Sequence, residues 1–152
     1  MKKRESTHKK TRVIMAILRT ADILNRYLEI ELAKYGSSPI RFGVMNTLFV
    51  HGGKMTPTDI SRWTFRTNHT ITSMLNVLEK AGLIRREPNK EDGRSVNILI
   101  TEKGWRGSDK MIPVAERMSK RALKCFDDRQ LKALEKLLKD LRKSLLKEIG
   151  LT

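Results

Sequence analysis

The stretch from Thr56 to Gly104 constrains this chain most, because its punctuation allows few arrangements. Thr56-Pro57 pairs a capping hydroxyl with a ring already at helical φ, the pattern of a helix start. The helix it opens is short and runs to about Trp63 or Thr64. Thr67 supplies a second cap and opens a helix over Asn68 to Ala81, which Gly82 stops in the left-handed conformation. Leu83 to Glu87 and Ser95 to Ile100 read as strands, and Pro88 to Gly93 between them is turn material. Two short helices, a tight turn and a hairpin with a charged tip describe a winged helix-turn-helix. The second helix of such a unit enters the major groove, where base edges are distinguishable, and the hairpin reaches along the backbone toward the minor groove.

The flanks are helical. From Thr11 to about Lys34, Ile14, Ile17, Leu18, Ala21, Leu24 and Leu28 recur at helical steps, and Arg12, Arg19 and Arg26 form another stripe. Tyr35-Gly36-Ser37 ends that helix, and Ser38-Pro39 opens another to about Val50, with Ile40, Val44 and Leu48 facing inward. His51-Gly52-Gly53 is a turn. Thr101 caps a helix into the Met111 to Phe126 region, which Pro113 kinks or splits. Asp127-Asp128 opens the last helix. Its Leu131, Leu134, Leu138, Leu141 and Leu145 are spaced three, four, three, four, the seam of a coiled-coil pair. An amphipathic helix on its own core would share this pattern, but such regularity in a terminal helix favours pairing with another helix. The fold class expected is therefore mainly α with a small β-hairpin wing.

Composition narrows the partner. The 152 residues are 39% hydrophobic, enough for a core, and carry a formal charge of +15, which favours a polyanion. Residues 1–10, with Lys2, Lys3, Arg4, Lys9 and Lys10, read as a disordered basic arm that could also track a phosphate backbone. No apolar run approaches the ~20 residues of a membrane span, and Val13 to Leu18, bounded by Arg12 and Arg19, is a poor signal-peptide core. No membrane partner and a cytoplasmic location are expected. The one cysteine, Cys125, allows no disulfide within the chain and reads as a small buried apolar side chain. His8, His51 and His69 are scattered, so no metal and no cofactor are expected. No nucleophile–base pair or phosphate-cradling loop stands out, which argues against an enzyme.

The central third of the chain resembles the MarR family of bacterial transcription regulators. Thr56-Pro57-Thr58-Asp59-Ile60-Ser61 parallels the family's T-P-S-E-L-A pattern; Thr70-Ile71-Thr72 and Leu78-Glu79-Lys80-Ala81-Gly82-Leu83-Ile84 follow in order. Arg85 to Arg94 is similar to the wing, and Ile100-Thr101-Glu102-Lys103-Gly104 to the L-T-x-x-G entry into the next helix. The resemblance implies a homodimer whose first and last helices interlock, bound to a pseudo-palindrome in double-stranded DNA with half-sites about one helical turn apart. On that reading 11–36 and 105–152 form the dimerisation region and 37–104 the DNA-binding region of a single compact domain.

Site residues follow. With Ile71, Leu75 and Leu78 as the buried face of the second helix, Asn68, His69, Thr70, Thr72, Ser73 and Asn76 face out, toward base edges, phosphates or plain solvent. Thr67 reads as the cap. Arg62, Arg66, Arg85, Arg86 and Lys90 are candidate phosphate partners. The resemblance implies that Arg94 enters the minor groove and that Asp92 orients the wing by ion pairing. It also implies a small aromatic or phenolic effector in a cleft that Met15, Arg41, Met45 and Trp105 would line. Ser73, Asn76 and Val77 depart from the family's common Arg, Asp and Arg, and Thr64, Phe65 and Arg66 replace its leucine-rich turn, so no operator carries over. The function expected is a sequence-specific regulator, a repressor released by an effector. The alternative is a non-specific or architectural nucleic-acid-binding protein on the same fold.

Overall fold

The computed structural model describes residues 2–89 and 95–150, and of residues 2–7 the backbone alone. The element order is α1 (Lys2–Ala33), α2 (Pro39–Val50), β1 (Lys54–Met55), α3 (Pro57–Thr64), α4 (Asn68–Lys80), β2 (Ile84–Pro88), β3 (Val96–Ile100), α5 (Glu102–Ala122) and α6 (Asp128–Glu148). The chain divides into two compact units, Met1–Pro113 and Val114–Thr152. Helix α5 runs through Pro113 as one helix.

In the first unit, α1 is helical from Lys2. Lys, Arg and Glu lose little rotamer freedom in a helix, so this segment extends the amphipathic helix that follows it. Much of α1's apolar stripe lies in water: Ile14 is 57% exposed, Leu18 54% and Leu24 45%, whereas Leu32 is buried. Ser38 caps α2 by accepting from the Arg41 N–H at 3.3 Å, and α2 buries Val44 and Leu48.

The sheet has three antiparallel strands in the order β1-β3-β2, not the two of a simple hairpin. The added strand, β1, pairs Lys54 with Leu99 and Met55 with Ile98. A two-residue strand has no period to read, so the sequence shows only the turn before it. That turn depends on Gly53, whose φ is +81° and whose carbonyl accepts from Ile100 N–H at 2.9 Å. A Cβ there would lie 2.5 Å from the Trp105 ring. β2 and β3 pair from Ile84 opposite Ile100 to Pro88 opposite Val96. One apolar cluster joins these elements: Val44, Leu48, Met55, Ile60, Ile71, Leu75, Leu78, Ile84, Ile98 and Ile100.

The entry into α5 has a close-packing explanation. Thr101 Oγ1 accepts from Gly104 N–H at 3.1 Å, capping the helix, and donates to the Gly82 carbonyl at 2.7 Å. Gly104 then lies so near the α4–β2 connection that a Cβ would sit 2.1 Å from the Leu83 carbonyl oxygen. The Thr-x-x-Gly pattern is thus a cap followed by a contact only glycine permits.

In the second unit, Asp127 opens α6 with a capping box: its carboxylate accepts from Gln130 N–H at 2.8 Å, and Gln130 Oε1 accepts from Asp127 N–H at 3.0 Å. No residue of α6 is buried; Leu131, Leu134 and Leu141 are half-buried, and Leu138 and Leu145 are exposed. Cys125, expected to be buried, is exposed in the turn before α6, where the chain leaves the helix and no apolar layer covers it. Among the described residues, no helix is long and apolar enough to cross a membrane.

Candidate nucleic-acid interface

The rotation of α4 is set by its apolar face. Ile71, Leu75 and Leu78 recur at helical steps and are almost wholly buried in the core. Fixing that face turns Asn68, His69, Thr72, Ser73 and Asn76 into solvent. Thr67 caps the helix, accepting from Thr70 N–H at 3.3 Å, and the two threonine hydroxyls lie 2.8 Å apart. Thr70 is half-buried and belongs to the cap as much as to the outward face. Val77, which the sequence reading did not count among the outward-facing residues, is 50% exposed on α4, off the buried stripe. Its position on the helical wheel is the signal that could have found it, and its methyl groups suit the thymine methyl in the major groove.

Arg86 reaches from β2 across to α4. Its Nη1 pairs with Glu79 and its Nη2 donates to Asn76 Oδ1 at 2.8 Å. A guanidinium only donates, so the Asn76 atom facing it is the carbonyl oxygen. The Asn76 Nδ2 donors are then directed away from that contact. Bidentate recognition of adenine uses both the oxygen and the nitrogen of an asparagine side chain; an asparagine held by its oxygen better suits acceptors, such as guanine N7, thymine O4 or a phosphate. Arg86, a candidate phosphate partner in the sequence, therefore serves as a brace between sheet and helix.

The other cations differ in how far they are engaged. Arg62 is well exposed, with Asp59 3.8 Å away. Arg66 is exposed, and its carbonyl accepts from Ser61 Oγ, which fastens the α3–α4 turn. Arg85 pairs with Glu87 at 2.7 Å on the surface of β2. Asn89 and Ser95 close the base of the wing: Asn89 N–H donates to the Ser95 carbonyl at 3.1 Å and Asn89 Nδ2 to Ser95 Oγ at 2.9 Å. Lys90, Asp92 and Arg94, the expected wing-tip residues, lie outside the described residues.

Of the expected effector-pocket residues, Met45 and Trp105 pack half-buried against the core cluster, and the Trp105 ring lies 5.3 Å from that of Phe49. Arg41 Nη1 donates to the Gly36 carbonyl at 3.3 Å, bracing the turn between α1 and α2. Met15 lies on the exposed stripe of α1. Among the described residues, no cluster of His, Cys, Asp and Glu is placed to hold a metal ion.

Residues 35–95 match the model of the MarR family. The chain is 30% identical over 136 residues to the HTH-type transcriptional regulator PecS of Dickeya dadantii, covering 88% of this chain and 82% of PecS. It superposes on the organohalide-sensing transcriptional regulator RdhR in its 2,4-dichlorophenol-bound form with a TM-score of 0.79 at 22% identity, over 90% of this chain and 81% of that one. It also superposes on a cysteine-to-serine variant of MarR from E. coli in complex with operator DNA, with a TM-score of 0.78 at 21% identity, over 88% of this chain and 95% of that one. A helix-turn-helix joined to a three-stranded wing sheet, and a relative matched along most of its length, lead to one conclusion: this chain belongs to the MarR family of DNA-binding transcription regulators.

Proposed function

We propose that the protein is a homodimeric repressor of a pseudo-palindromic operator, released by a small aromatic or phenolic effector. The observation that carries this reading is the polar face of α4. Asn68, His69, Thr72, Ser73 and Asn76 are exposed together on a helix whose opposite face is locked into the core. Such a face is of little use to stability and suits hydrogen bonding to base edges. The +15 charge adds the sequence-independent attraction that brings the helix to a duplex.

Dimerisation follows from two helices with unfinished faces. The apolar stripe of α1 and the leucines of α6 are largely exposed in the single chain. A second copy is the partner that offers both faces again, and the two-fold axis then sets two copies of α4 at half-sites roughly 34–36 Å apart. Repression asks least of such a dimer, because occupying the operator is enough. The effector reading is supported by the dichlorophenol bound to RdhR, whose fold this chain shares, and would place the ligand near Met45 and Trp105. At the wing, Arg94 enters the minor groove, Asp92 orients it and Lys90 meets phosphate.

Selection of bound duplexes from a random library tests the proposal. Enrichment of one pseudo-palindrome, bound at least ~10³ tighter than random DNA, is expected; enrichment of no motif would leave only non-specific binding. Arg94→Ala should weaken operator binding and make its salt dependence shallower by about one to two charges per dimer. Unchanged affinity would remove Arg94 from the contact set.

A further inference from the structure

Phe65 closes α3 with φ 51° and ψ 39°, the left-handed conformation, and among the described residues it is the one non-glycine with positive φ. An L side chain is penalised there, whereas glycine is not. The turn imposes this conformation from both sides. Thr64 Oγ1 donates to the Ile60 carbonyl at 2.7 Å, Arg66 N–H donates to the Ser61 carbonyl at 3.2 Å, and Ser61 Oγ holds the Arg66 carbonyl. The ring gains little inside the chain in return, since Phe65 is 57% exposed. A bulky apolar side chain thus carries a conformational cost and stays mostly in water. Covering the ring with something outside the chain removes the second cost and offsets the first.

Its position says what. Phe65 lies two residues before Thr67, the cap of α4, and between the exposed Arg62 and Arg66. It is exposed in the turn that leads into α4, and the charged residues that flank it along the chain are positive. We propose that Phe65 is a DNA-contact residue: its ring packs on the sugar edge of the backbone strand whose phosphates meet Arg62 and Arg66. The deoxyribose faces are the apolar part of that backbone, and the left-handed turn holds the ring out from the helix end to reach them. This contact rests on the operator-binding reading above and adds to it an apolar anchor at the mouth of the recognition helix.

The test uses the full-length protein and the duplex that the wild type enriches, with Phe65→Gly, Phe65→Asn and Phe65→Leu. Glycine and asparagine accept the left-handed conformation, so both variants should melt about 3 °C higher. Both should bind the duplex about tenfold more weakly, or about 1.4 kcal/mol. The slope of affinity against salt should stay unchanged, because a sugar contact releases no counterions. Phe65→Leu should keep most of the affinity, whereas Arg66→Ala should lose affinity and flatten the slope. Wild-type affinity in the glycine and asparagine variants would overturn the proposal. So would a flattened slope in them, which would mean that the ring only positions the arginines, or a fall in melting temperature, which would make it structural. Intact binding with an altered oligomeric state would assign the ring to a protein contact instead. A wild type that enriches no duplex is the separate result that removes the operator reading itself, and this contact with it.

Discussion

Helices α4 and α6 begin alike, each with a hydroxyl or carboxylate cap and an apolar stripe at helical spacing, yet the fold treats them in opposite ways. The stripe of α4 is wholly used: Ile71, Leu75 and Leu78 are buried, and what remains outside is polar apart from Val77. The stripe of α6 is left open, with none of its residues buried and Leu138 and Leu145 about half exposed. An amphipathic helix gains most of its stability from covering its apolar face. The comparison therefore separates a helix completed by its own unit, free to present hydrogen-bonding groups, from one whose apolar face is left uncovered and which the proposed homodimer would cover with a second copy.

The largest effect should come from closing off the open stripe. Replacing both Leu138 and Leu145 with Asp should yield monomers by light scattering at micromolar concentration. Operator affinity should fall about a thousandfold as two linked half-site contacts become one. A persistent dimer would break the comparison, because α6 would then not be the interface. Next in size, Leu75→Ala should cost about 3 kcal/mol in thermal or denaturant unfolding, as a buried leucine deletion does. A loss under about 1 kcal/mol would mean that the core does not hold α4 as tightly as its burial implies.

Arg86→Met tests how α4 is braced rather than how it is buried. Losing the Glu79 pair and the bond to Asn76 should cost about 1 kcal/mol. It should also relax base preference at the position nearest Asn76, read by repeating the duplex selection. An unchanged preference would show that Asn76 orientation does not depend on Arg86. The smallest effect is expected at the helix start: Thr67→Ala should cost about 1 kcal/mol or slightly less in stability, as N-cap deletions do, with the enriched motif unchanged. A changed motif would move Thr67 from capping to base reading.

How much of this was legible beforehand depends on the range of the interaction. The caps at Ser38, Thr56, Thr67 and Asp127 and the buried positions of α4 follow from contacts within one or two turns, and they stand where the pattern put them. Strand β1 was invisible, because Lys54 and Met55 become a strand only by pairing with residues more than forty positions away. The bracing role of Arg86 was hidden for the same reason, since Asn76 and Glu79 are brought to it by the packing of β2 against α4. The exposure of Cys125 could not be read from a residue type that is usually buried.

Returning to Thr56 to Gly104, the amino-acid order by itself determined the helices, their caps and the hairpin that follows them. Each is decided by neighbours close along the chain, where backbone sterics and one hydrogen bond suffice. Tertiary structure alone decided that Gly104 must lie against the Leu83 carbonyl and that Asn76 is held by its oxygen. Those facts belong to surfaces that meet only when distant segments pack, and surfaces of that kind are what a partner molecule touches.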